Sequence, residues 1–371
     1  MNVVEWWNNL YPLTKEELKI LEKGLCHEQN LILDKIKKTG KSADVLFFEN
    51  TPRMAPSQED FDKLTDEYFS RMPGCKCTHL NKDLSFNVSG TSFINMLFNK
   101  YVDDDTLVIT SDSEHPSTQA RVAESKNKLI LSHYNIIRKY DIDYIMNEAK
   151  KFKKAFVYII GTRNDTGEVT PQQFFEDLKK AFEQNGITYK IVLDDVQGMF
   201  VVPRDYTLYD FVLGTAHAMI DNYDMGMLIS NEYIGGYKAY NWGKEYLDRI
   251  DIILKRKDKM NIFKQVMEHY YDKDVKDNPK RHFSEVMTSP AIFYMKLEDD
   301  FEVSKEISLF LESLNLLLPD SQLSKRKFIR LRSHWFYLEE SFIPKILKVM
   351  DYILNTKNKK LDFDIIKELV C

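Results

Sequence analysis

Cysteine is scarce in this 371-residue sequence, which has four residues of that type at irregular spacing. They are Cys26, Cys75, Cys77 and Cys371. Four such residues do not make a disulfide framework, and the Cys75–Cys77 pair lacks a second ligand pair nearby, so we expect no metal site. No apolar run approaches the roughly 20 residues of a membrane helix. The first seven residues also lack the charged and apolar regions of a signal peptide. We therefore expect a cytoplasmic protein without a membrane partner.

An excess of one charge sign is also missing. The chain has 52 Lys and Arg residues against 57 Asp and Glu residues, which gives a formal net charge of −5 with both signs interspersed. Such a balance argues against a basic groove, so we expect no nucleic-acid partner. With 43% hydrophobic and 13% aromatic residues, the chain can bury a large core. Its length suits one large domain and one smaller domain.

Short β-rich runs alternate with helical patterns through the first two thirds of the chain. The runs lie at 106–110, 128–131, 155–160, 189–193 and 210–213, and the helical patterns lie at 92–100, 142–153 and 171–185. Nearly continuous apolar strands between helices are typical of a mostly parallel sheet that is buried on both faces. The sequence therefore predicts an α/β fold with helices on both sides of the sheet. Ligands of such sheets bind at the carboxyl ends of the strands.

The pattern changes near residue 260, which suggests three regions. We predict an N-terminal helical segment (1–44), a large α/β domain (45–260) and a small C-terminal α+β domain (261–371). The helix expected at 14–37 would pack against the small domain. In the small domain the sequence predicts helices at 258–271, 302–315 and 340–355, strands at 291–296 and 327–332, and an exposed loop at 272–281.

Polar residues follow several of the predicted strands. The stretch from Ser89 to Ser92 opens a helical run, where free N–H groups and hydroxyls bind phosphate, although serine and threonine are also ordinary helix caps. His115 follows the strand 106–110 and could stack on a flat ring or lie in a loop. Asn164 follows the strand 155–160, where its residue type also suits a turn.

The later strands end in a comparable way. Asp194 ends the strand 189–193, and Gln197 comes three residues later. Thr215 and His217 follow the strand 210–213. Arg330 lies in a short strand near the C-terminus, where a surface ion pair is the simpler interpretation.

Four segments carry a resemblance to a known family. Leu193–Gln197 resembles Val-Asp-x-x-Gln, and Tyr209–His217 resembles Val-Asp-x-x-x-x-Ser-x-His. Arg163–Pro171 is similar to Ser-Asn-Glu-Thr-Gly-x-x-x-Pro, and Ile329–Glu340 is similar to Arg-x-Ser-x-x-x-Tyr-Asn-x-x-Glu-Glu. These are motifs of the class-V aminotransferase family, which includes cysteine desulfurases and selenocysteine lyases. The resemblance covers roughly residues 45 to 345 and implies fold type I, pyridoxal 5'-phosphate (PLP) as cofactor and a homodimer.

The resemblance also implies a role for each site residue. Asp194 would pair with the pyridine nitrogen of PLP and keep the ring an electron sink. Gln197 would bind the ring oxygen, His115 would stack on the ring face, and Asn164 would lie beside the substrate or the ring oxygen. The phosphate would be held by Thr91, Ser92, Thr215 and His217. Arg330 would bind the carboxylate of an amino-acid substrate, with Arg332 as the alternative in a shifted register.

One departure from the family concerns the lysine that forms the Schiff base with PLP. It directly follows the histidine of Ser-x-His, and here that position is Ala218. Alanine can neither link to PLP nor move the Cα proton. We favour an inactivated variant that traps a PLP–substrate aldimine. The alternatives are a naturally non-catalytic PLP-binding or scaffold protein, and a dehydratase-like enzyme that uses pyridoxamine phosphate and a histidine base.

A second departure concerns sulfur chemistry. Persulfide-forming desulfurases carry a cysteine shortly before the carboxylate-binding arginine, and the stretch 314–328 contains none. Its absence argues against desulfuration through an enzyme persulfide. We expect PLP chemistry at the Cα of an amino acid, and among the possible reactions we favour elimination by a lyase over transamination, epimerisation and desulfuration.

Overall fold

The computed structural model describes two compact units. The described residues are Glu16, 57–87, 89–164, 166–215, 225–255, 257–278, 281–288, 292–307, 328–332 and 342–370. The first unit runs from residue 57 to Arg163 and from Glu168 to Asp248, and the second contains Asn164–Gly167 and the chain from Arg249 onwards. The helix predicted at 14–37 lies outside the described residues except for Glu16.

The first unit alternates helices and strands. Its elements are α1 (Gln58–Arg71), β1 (Asp83–Asn87), α2 (Gly90–Tyr101), β2 (Thr106–Ser111), α3 (Pro116–Glu124), β3 (Asn127–Leu131), α4 (His133–Arg138), α5 (Ile142–Ala149), β4 (Lys154–Ile160), α6 (Gln172–Gln184), β5 (Thr188–Asp194), β6 (Phe211–Thr215) and β7 (Gly226–Ser230). A 3₁₀ turn at Tyr206–Leu208 precedes β6, and α7 (Tyr240–Leu254) crosses the division between the units.

The seven strands form one sheet in the order β1-β7-β6-β5-β4-β2-β3. Strands β3, β2, β4, β5 and β6 are parallel neighbours, whereas β7 is antiparallel to both β6 and β1. Strand β1 therefore runs in the same direction as β6. The predicted mostly parallel sheet is confirmed, and the five predicted strands agree with the observed ones to within two residues. The carboxyl ends of β1 to β6 all lie at one edge of the sheet, which we call the carboxyl edge.

Burial of apolar side chains accounts for these elements. Every residue of β2 is buried, as are six of the seven residues of β4. Helix α2 presents Phe93, Leu97 and Phe98 to this sheet, and the Phe98 ring meets the Phe156 ring edge to face at 5.1 Å. Burying one phenylalanine contributes about 1.5–3 kcal/mol, so this helix–sheet contact is a large part of the stability of the unit.

The second unit combines helices with a small antiparallel sheet. It contains α8 (Lys257–Asp277), β8 (Phe283–Thr288), β9 (Ile292–Leu297), β10 (Phe328–Arg332), α9 (Phe342–Asn355) and α10 (Phe363–Val370). The strand order is β10-β9-β8, with both pairs antiparallel. This is the α+β composition that the sequence predicts for the C-terminal part of the chain.

The exposed loop predicted at 272–281 is wrong over most of its length, because α8 continues to Asp277. The charged residues Asp272, Lys273 and Lys276 are exposed on the outer side of the helix, as polar residues of an amphipathic helix are. Asp274, by contrast, is buried and accepts hydrogen bonds from the backbone N–H groups of His282 (2.8 Å) and Phe283 (2.9 Å). This contact between a helix and the following strand is not visible in a local polar pattern.

A buried ion pair in the first unit joins three connecting segments. Asp195 follows β5 and lies 3.4 Å from Nε of Arg204, and neither side chain is more than 2% exposed. Arg204 also donates to the carbonyl oxygens of Gly161 (2.6 Å) and Thr170 (3.0 Å). Tyr206 donates its hydroxyl to Asp195 at 2.7 Å. The guanidinium thus ties the turn after β4, the start of α6 and the turn after β5 together.

We predict that Arg204→Met lowers the free energy of unfolding by about 3–5 kcal/mol, because it leaves the buried carboxylate of Asp195 without a counter-charge. Urea unfolding at pH 7 measures this change. Arg138→Met is the matched control, since Arg138 is half exposed and lies 3.9 Å from Glu168. Its loss costs no more than about 1 kcal/mol. Equal losses in the two variants would contradict the structural role of the buried pair.

Candidate cofactor site

The carboxyl edge of the first sheet carries most of the residues that the sequence singles out. Asn87 of β1 leads to the Ser89–Ser92 turn, β2 leads to His115, β5 ends at Asp194, and β6 ends at Thr215. Because these strands point the same way, their following residues meet at one edge.

The N-terminus of α2 forms a cradle of backbone donors. Ser89 caps the helix, and its hydroxyl accepts a hydrogen bond from the backbone N–H of Ser92 at 3.2 Å. Gly90 lies against the end of β6, where a Cβ on the glycine would come within 2.7 Å of the Thr215 side chain. A Cβ on Gly226, the first residue of β7, would collide with the carbonyl group of Ser89. Only glycine permits this approach, and the free N–H groups of the first turn favour an anion.

His115 is connected to this cradle through a serine that the sequence did not single out. His115 caps α3, and its Nδ1 lies 2.8 Å from the hydroxyl oxygen of Ser117. The same oxygen lies 3.1 Å from the hydroxyl oxygen of Thr91. The His115 side chain is exposed. The structure therefore brings Thr91, Ser92 and His115 into one polar group. The sequence could have indicated Ser117 as a further member, because it lies in the first turn of α3 next to His115.

Asp194 is 3% exposed at the end of β5. Its Oδ2 accepts the hydroxyl of Tyr158 at 2.8 Å, and its Oδ1 accepts the N–H of Val196 at 3.4 Å. Burial raises the pKa of Asp194 to about 6, and the hydrogen bond from Tyr158 opposes that shift. No cationic side chain among the described residues pairs with this carboxylate. Gln197, three residues after Asp194, is 5% exposed.

A second buried carboxyl group lies next to Asp194, and sequence reasoning missed it. Glu114 is fully buried, and its Oε1 accepts the Ser111 hydroxyl at 2.5 Å and the N–H of Ile160 at 3.0 Å. Its Oε2 has no hydrogen-bond partner within the described part of the chain. Burial, together with the negative charge of Asp194, raises the pKa of Glu114 to about 8, although the hydrogen bond from Ser111 opposes this shift. Glu114 is therefore mostly protonated at pH 7, so Asp194 is the anion of the pair.

The other predicted site residues belong to the second unit or lie outside the described residues. Asn164 groups with the second unit. His217 and Ala218 lie outside the described residues. Arg330 and Arg332 lie in β10, opposite Tyr294 and Ile292 of β9.

Two general features bear on the kind of site. Among the described residues, no three His, Cys, Asp or Glu side chains are arranged to hold a metal ion. The described helices include none that is both long and apolar enough to span a membrane.

Comparison with solved structures identifies the class of fold. A NifS-like protein from Rickettsia africae ESF-5 has a TM-score of 0.59 at 16% identity, over 94% of this chain and 98% of that one. A PLP-dependent aminotransferase from Streptococcus suis 89-1591 has a TM-score of 0.56 at 15% identity, over 96% and 98%. A PLP-bound C-S lyase from Staphylococcus hominis has a TM-score of 0.57 at 10% identity, over 88% and 91%.

The chain therefore shares the α/β fold of these three structures, which is the fold type I that the sequence predicts. No family model matches the sequence, and no curated protein matches it. The likeness to these structures is one of fold.

We predict that Glu114 makes the protein less stable as the pH rises from 5 to 8. Its pKa is about 8 in the folded protein and near 4.5 in an unfolded chain, so over this range only the folded state holds the proton. The stabilisation is complete below pH 4.5 and is lost as the pH rises towards 8, at about 1.4 kcal/mol per pH unit.

Urea unfolding of the wild type and Glu114→Gln at several pH values tests this dependence. Glutamine has no proton to lose, so the variant should lack this part of the slope. Glu124→Gln, at an exposed position, is the control and should keep the wild-type slope. Parallel slopes for the wild type and Glu114→Gln would show that Glu114 titrates normally.

Proposed function

We propose that this chain binds PLP at the carboxyl edge of its large sheet and belongs by function to the PLP-dependent enzymes that act at the Cα of an amino acid. The observation that carries the proposal is the unbalanced charge of Asp194. Its neighbour Asp195 is equally buried and has Arg204 as its cation, whereas the described residues give Asp194 the Tyr158 hydroxyl and one backbone N–H but no cation. A buried carboxylate without a cation suits a positively charged ring nitrogen of a ligand.

The spacing of the site supports the same ligand. Asp194 pairs with Leu213 of β6, and Thr215 lies two residues further along that strand. With strands about 4.8 Å apart and a rise of about 3.3 Å per residue, the Cα atoms of Asp194 and Thr215 are roughly 8 Å apart. Thr215 contacts the N-terminal cradle of α2, which suits a phosphate. A pyridine ring with a phosphate-bearing arm fits between these two ends.

Each residue of the edge then has a separate task. Asp194 holds the protonated pyridine nitrogen, and Tyr158 orients the carboxylate. The amide of Gln197 binds the ring oxygen, and His115 stacks on the ring from its position beside the cradle. Thr91, Ser92 and Thr215 hold the phosphate, with His217 as a further contact. When bound, PLP supplies an electron sink for negative charge that develops at the Cα of an amino acid.

The protonated state of Glu114 supports this division of tasks. Two adjacent buried carboxylates would repel each other, and the proton on Glu114 removes one of the charges. A single negative charge then faces the ring nitrogen. This arrangement lets Asp194 remain ionised in spite of its burial once a cation is bound.

The substrate and the subunit arrangement complete the proposal. Arg330 binds the carboxylate of the amino acid, Asn164 lies beside the substrate, and the protein is a cytoplasmic homodimer. Elimination by a lyase is favoured over transamination, epimerisation and desulfuration. The absence of a cysteine from 314–328 argues against desulfuration through an enzyme persulfide. Ala218 removes the group that would hold PLP covalently and move the Cα proton.

The residue at 218 also favours a second candidate function, that of a non-catalytic PLP-binding protein. Such a protein would keep the ring and phosphate contacts of the edge without the lysine. A third candidate is a pyridoxamine-phosphate enzyme with a histidine base. It would need His217 as that base, and because His217 is already assigned to the phosphate, we rank this candidate last.

We predict that Asp194→Asn weakens PLP binding at least 30-fold at pH 7.5, because truncating one partner of a buried charge pair costs about 2–5 kcal/mol. Absorbance or fluorescence titration with PLP measures the affinity. In the wild type, affinity should also fall as the pH drops through about 6, where free Asp194 gains a proton. Asp194→Asn should lack this component.

Asp104→Asn is the control, since its side chain is 83% exposed. It should bind PLP as the wild type does. Unchanged affinity in Asp194→Asn would refute the placement of the pyridine nitrogen at Asp194.

We predict that Ala218→Lys restores covalent attachment of PLP. Borohydride reduction after addition of PLP should fix the cofactor to the peptide that contains residue 218, with loss of the visible absorption band. Ala216→Lys places the same amine two residues earlier and is the control. Equal labelling of both variants, or labelling of surface lysines only, would show that the edge does not position PLP for attachment at residue 218.

A further inference from the structure

Two free cysteines lie close together in the loop between α1 and β1. Cys75 and Cys77 are two residues apart, and the backbone N–H of Cys77 lies 3.4 Å from the sulfur of Cys75. The side chain of Cys77 is also close enough to Cys75 to lower the pKa of that thiol. The two cysteine side chains are therefore neighbours in the folded protein.

The surroundings favour a thiolate on one cysteine and a thiol on the other. The interaction with the Cys77 side chain, together with the backbone N–H groups of Cys77 and Tyr206, lowers the pKa of Cys75, although burial and the negative charge of Asp205 oppose this shift. The hydrogen bond to Cys75 and burial raise the pKa of Cys77. The buried ammonium of Lys82 adds a positive charge near both sulfur atoms. A thiolate is the reactive form of cysteine.

The two cysteines also differ in solvent exposure, and this difference again makes Cys75 the more reactive one. Cys75 is half-buried and reachable from solvent, whereas Cys77 is only 7% exposed. A reagent in solution thus meets Cys75 first. Cys77 lies behind it, in the position of a resolving thiol.

The loop is held in this shape by the segment before β6. Gly74 adopts a φ of +75°, and a Cβ there would come within 2.9 Å of the backbone nitrogen of Arg204. That nitrogen donates to the carbonyl oxygen of Pro73 at 2.8 Å. Lys76, between the two cysteines, lies 2.9 Å from Asp205. The sulfur atoms are therefore positioned before any reagent arrives.

We propose that Cys75 and Cys77 form a redox-active dithiol, which a low-molecular-weight disulfide converts into an intramolecular disulfide. The Cys75 thiolate attacks one sulfur of the reagent, so a mixed disulfide forms and one reagent thiolate leaves. Cys77 then loses its proton and attacks the Cys75 sulfur, and the second reagent thiolate leaves. Two cysteine thiols are oxidised, one disulfide is reduced to two thiols, and the two protons pass to the departing thiolates.

This dithiol is separate from the proposed PLP site. Lys82 directly precedes β1 and donates a hydrogen bond to the carbonyl oxygen of Tyr209, which lies just before β6. These residues lie at the amino ends of two strands, whereas the proposed PLP site lies at the carboxyl edge. The redox proposal does not depend on PLP binding.

Peptide mapping after treatment with oxidised glutathione tests the proposal. Trypsin cuts after Arg71, Lys76 and Lys82, so it separates Cys75 and Cys77 onto two peptides, 72–76 and 77–82. In the oxidised wild type the two peptides should stay joined, with a mass two hydrogens below their sum, and should separate after reduction. Persistent glutathione on Cys75 without joined peptides would overturn the proposal, as would failure of either cysteine to react.

Variants at the two positions distinguish the roles. Cys77→Ser should stop at the mixed disulfide on Cys75, and Cys75→Ser should react at least tenfold more slowly, because Cys77 is buried. Equal reaction rates of the two variants would contradict the assignment of Cys75 as the attacking thiol.

The pH dependence of alkylation at Cys75 tests whether Cys77 activates this residue. If Cys77 had only a structural role, replacing it would not shift the pH midpoint of labelling at Cys75. In Cys77→Ser the hydroxyl still donates to Cys75, so the pH midpoint of iodoacetamide labelling at Cys75 should stay near that of the wild type. Cys77→Ala removes this donor and should move the midpoint to higher pH. Identical midpoints in Cys77→Ser and Cys77→Ala would show that Cys77 does not activate Cys75.

Discussion

Two adjacent aspartates at the end of β5 face the same physical constraint, because a buried carboxylate needs compensation for its lost hydration. Asp195 receives it from Arg204 and Tyr206, which also tie the turns after β4 and β5 together. From the part of the chain that the structure describes, Asp194 receives two hydrogen bonds, both from neutral groups. Asp194 therefore favours a positively charged ligand group at the carboxyl edge, whereas Asp195 stabilises the turns that shape this edge.

The rest of the site follows from the same edge. The proton on Glu114 keeps a second negative charge away from Asp194, and the close approach of Gly90 to Thr215 sets the anion cradle at a fixed distance along the neighbouring strand. The parallel strands make this grouping of site residues possible, because their carboxyl ends place residues that are far apart in sequence side by side at one edge of the sheet. The cysteine pair lies in the loop before β1, on the side of the amino ends of β1 and β6. The two proposed chemistries therefore use different ends of the sheet.

Much of the fold was accessible from local patterns. The five predicted strands and the helices at 92–100 and 171–185 agree with the structure to within a few residues, because continuous apolar runs and helical periodicity reflect burial directly. Strands β1 and β7 were not predicted. Their apolar runs are short, and antiparallel pairing at the edge of the sheet depends on contacts far away in sequence. The end of α8 was misjudged because its exposed polar side resembles a loop.

The sequence by itself determined the order of polar residues after each strand, and with it Asp194, Gln197, Thr215 and the serine-rich turn, because these follow directly from where apolar runs stop. It also determined that residue 218 is alanine. Only the tertiary structure decided which of two adjacent aspartates pairs with Arg204, that burial raises the pKa of Glu114, and that Ser117 joins His115 to the cradle. Those properties depend on distances between strands and on the exclusion of water from the site, and the residues next to each position in the sequence determine neither of them.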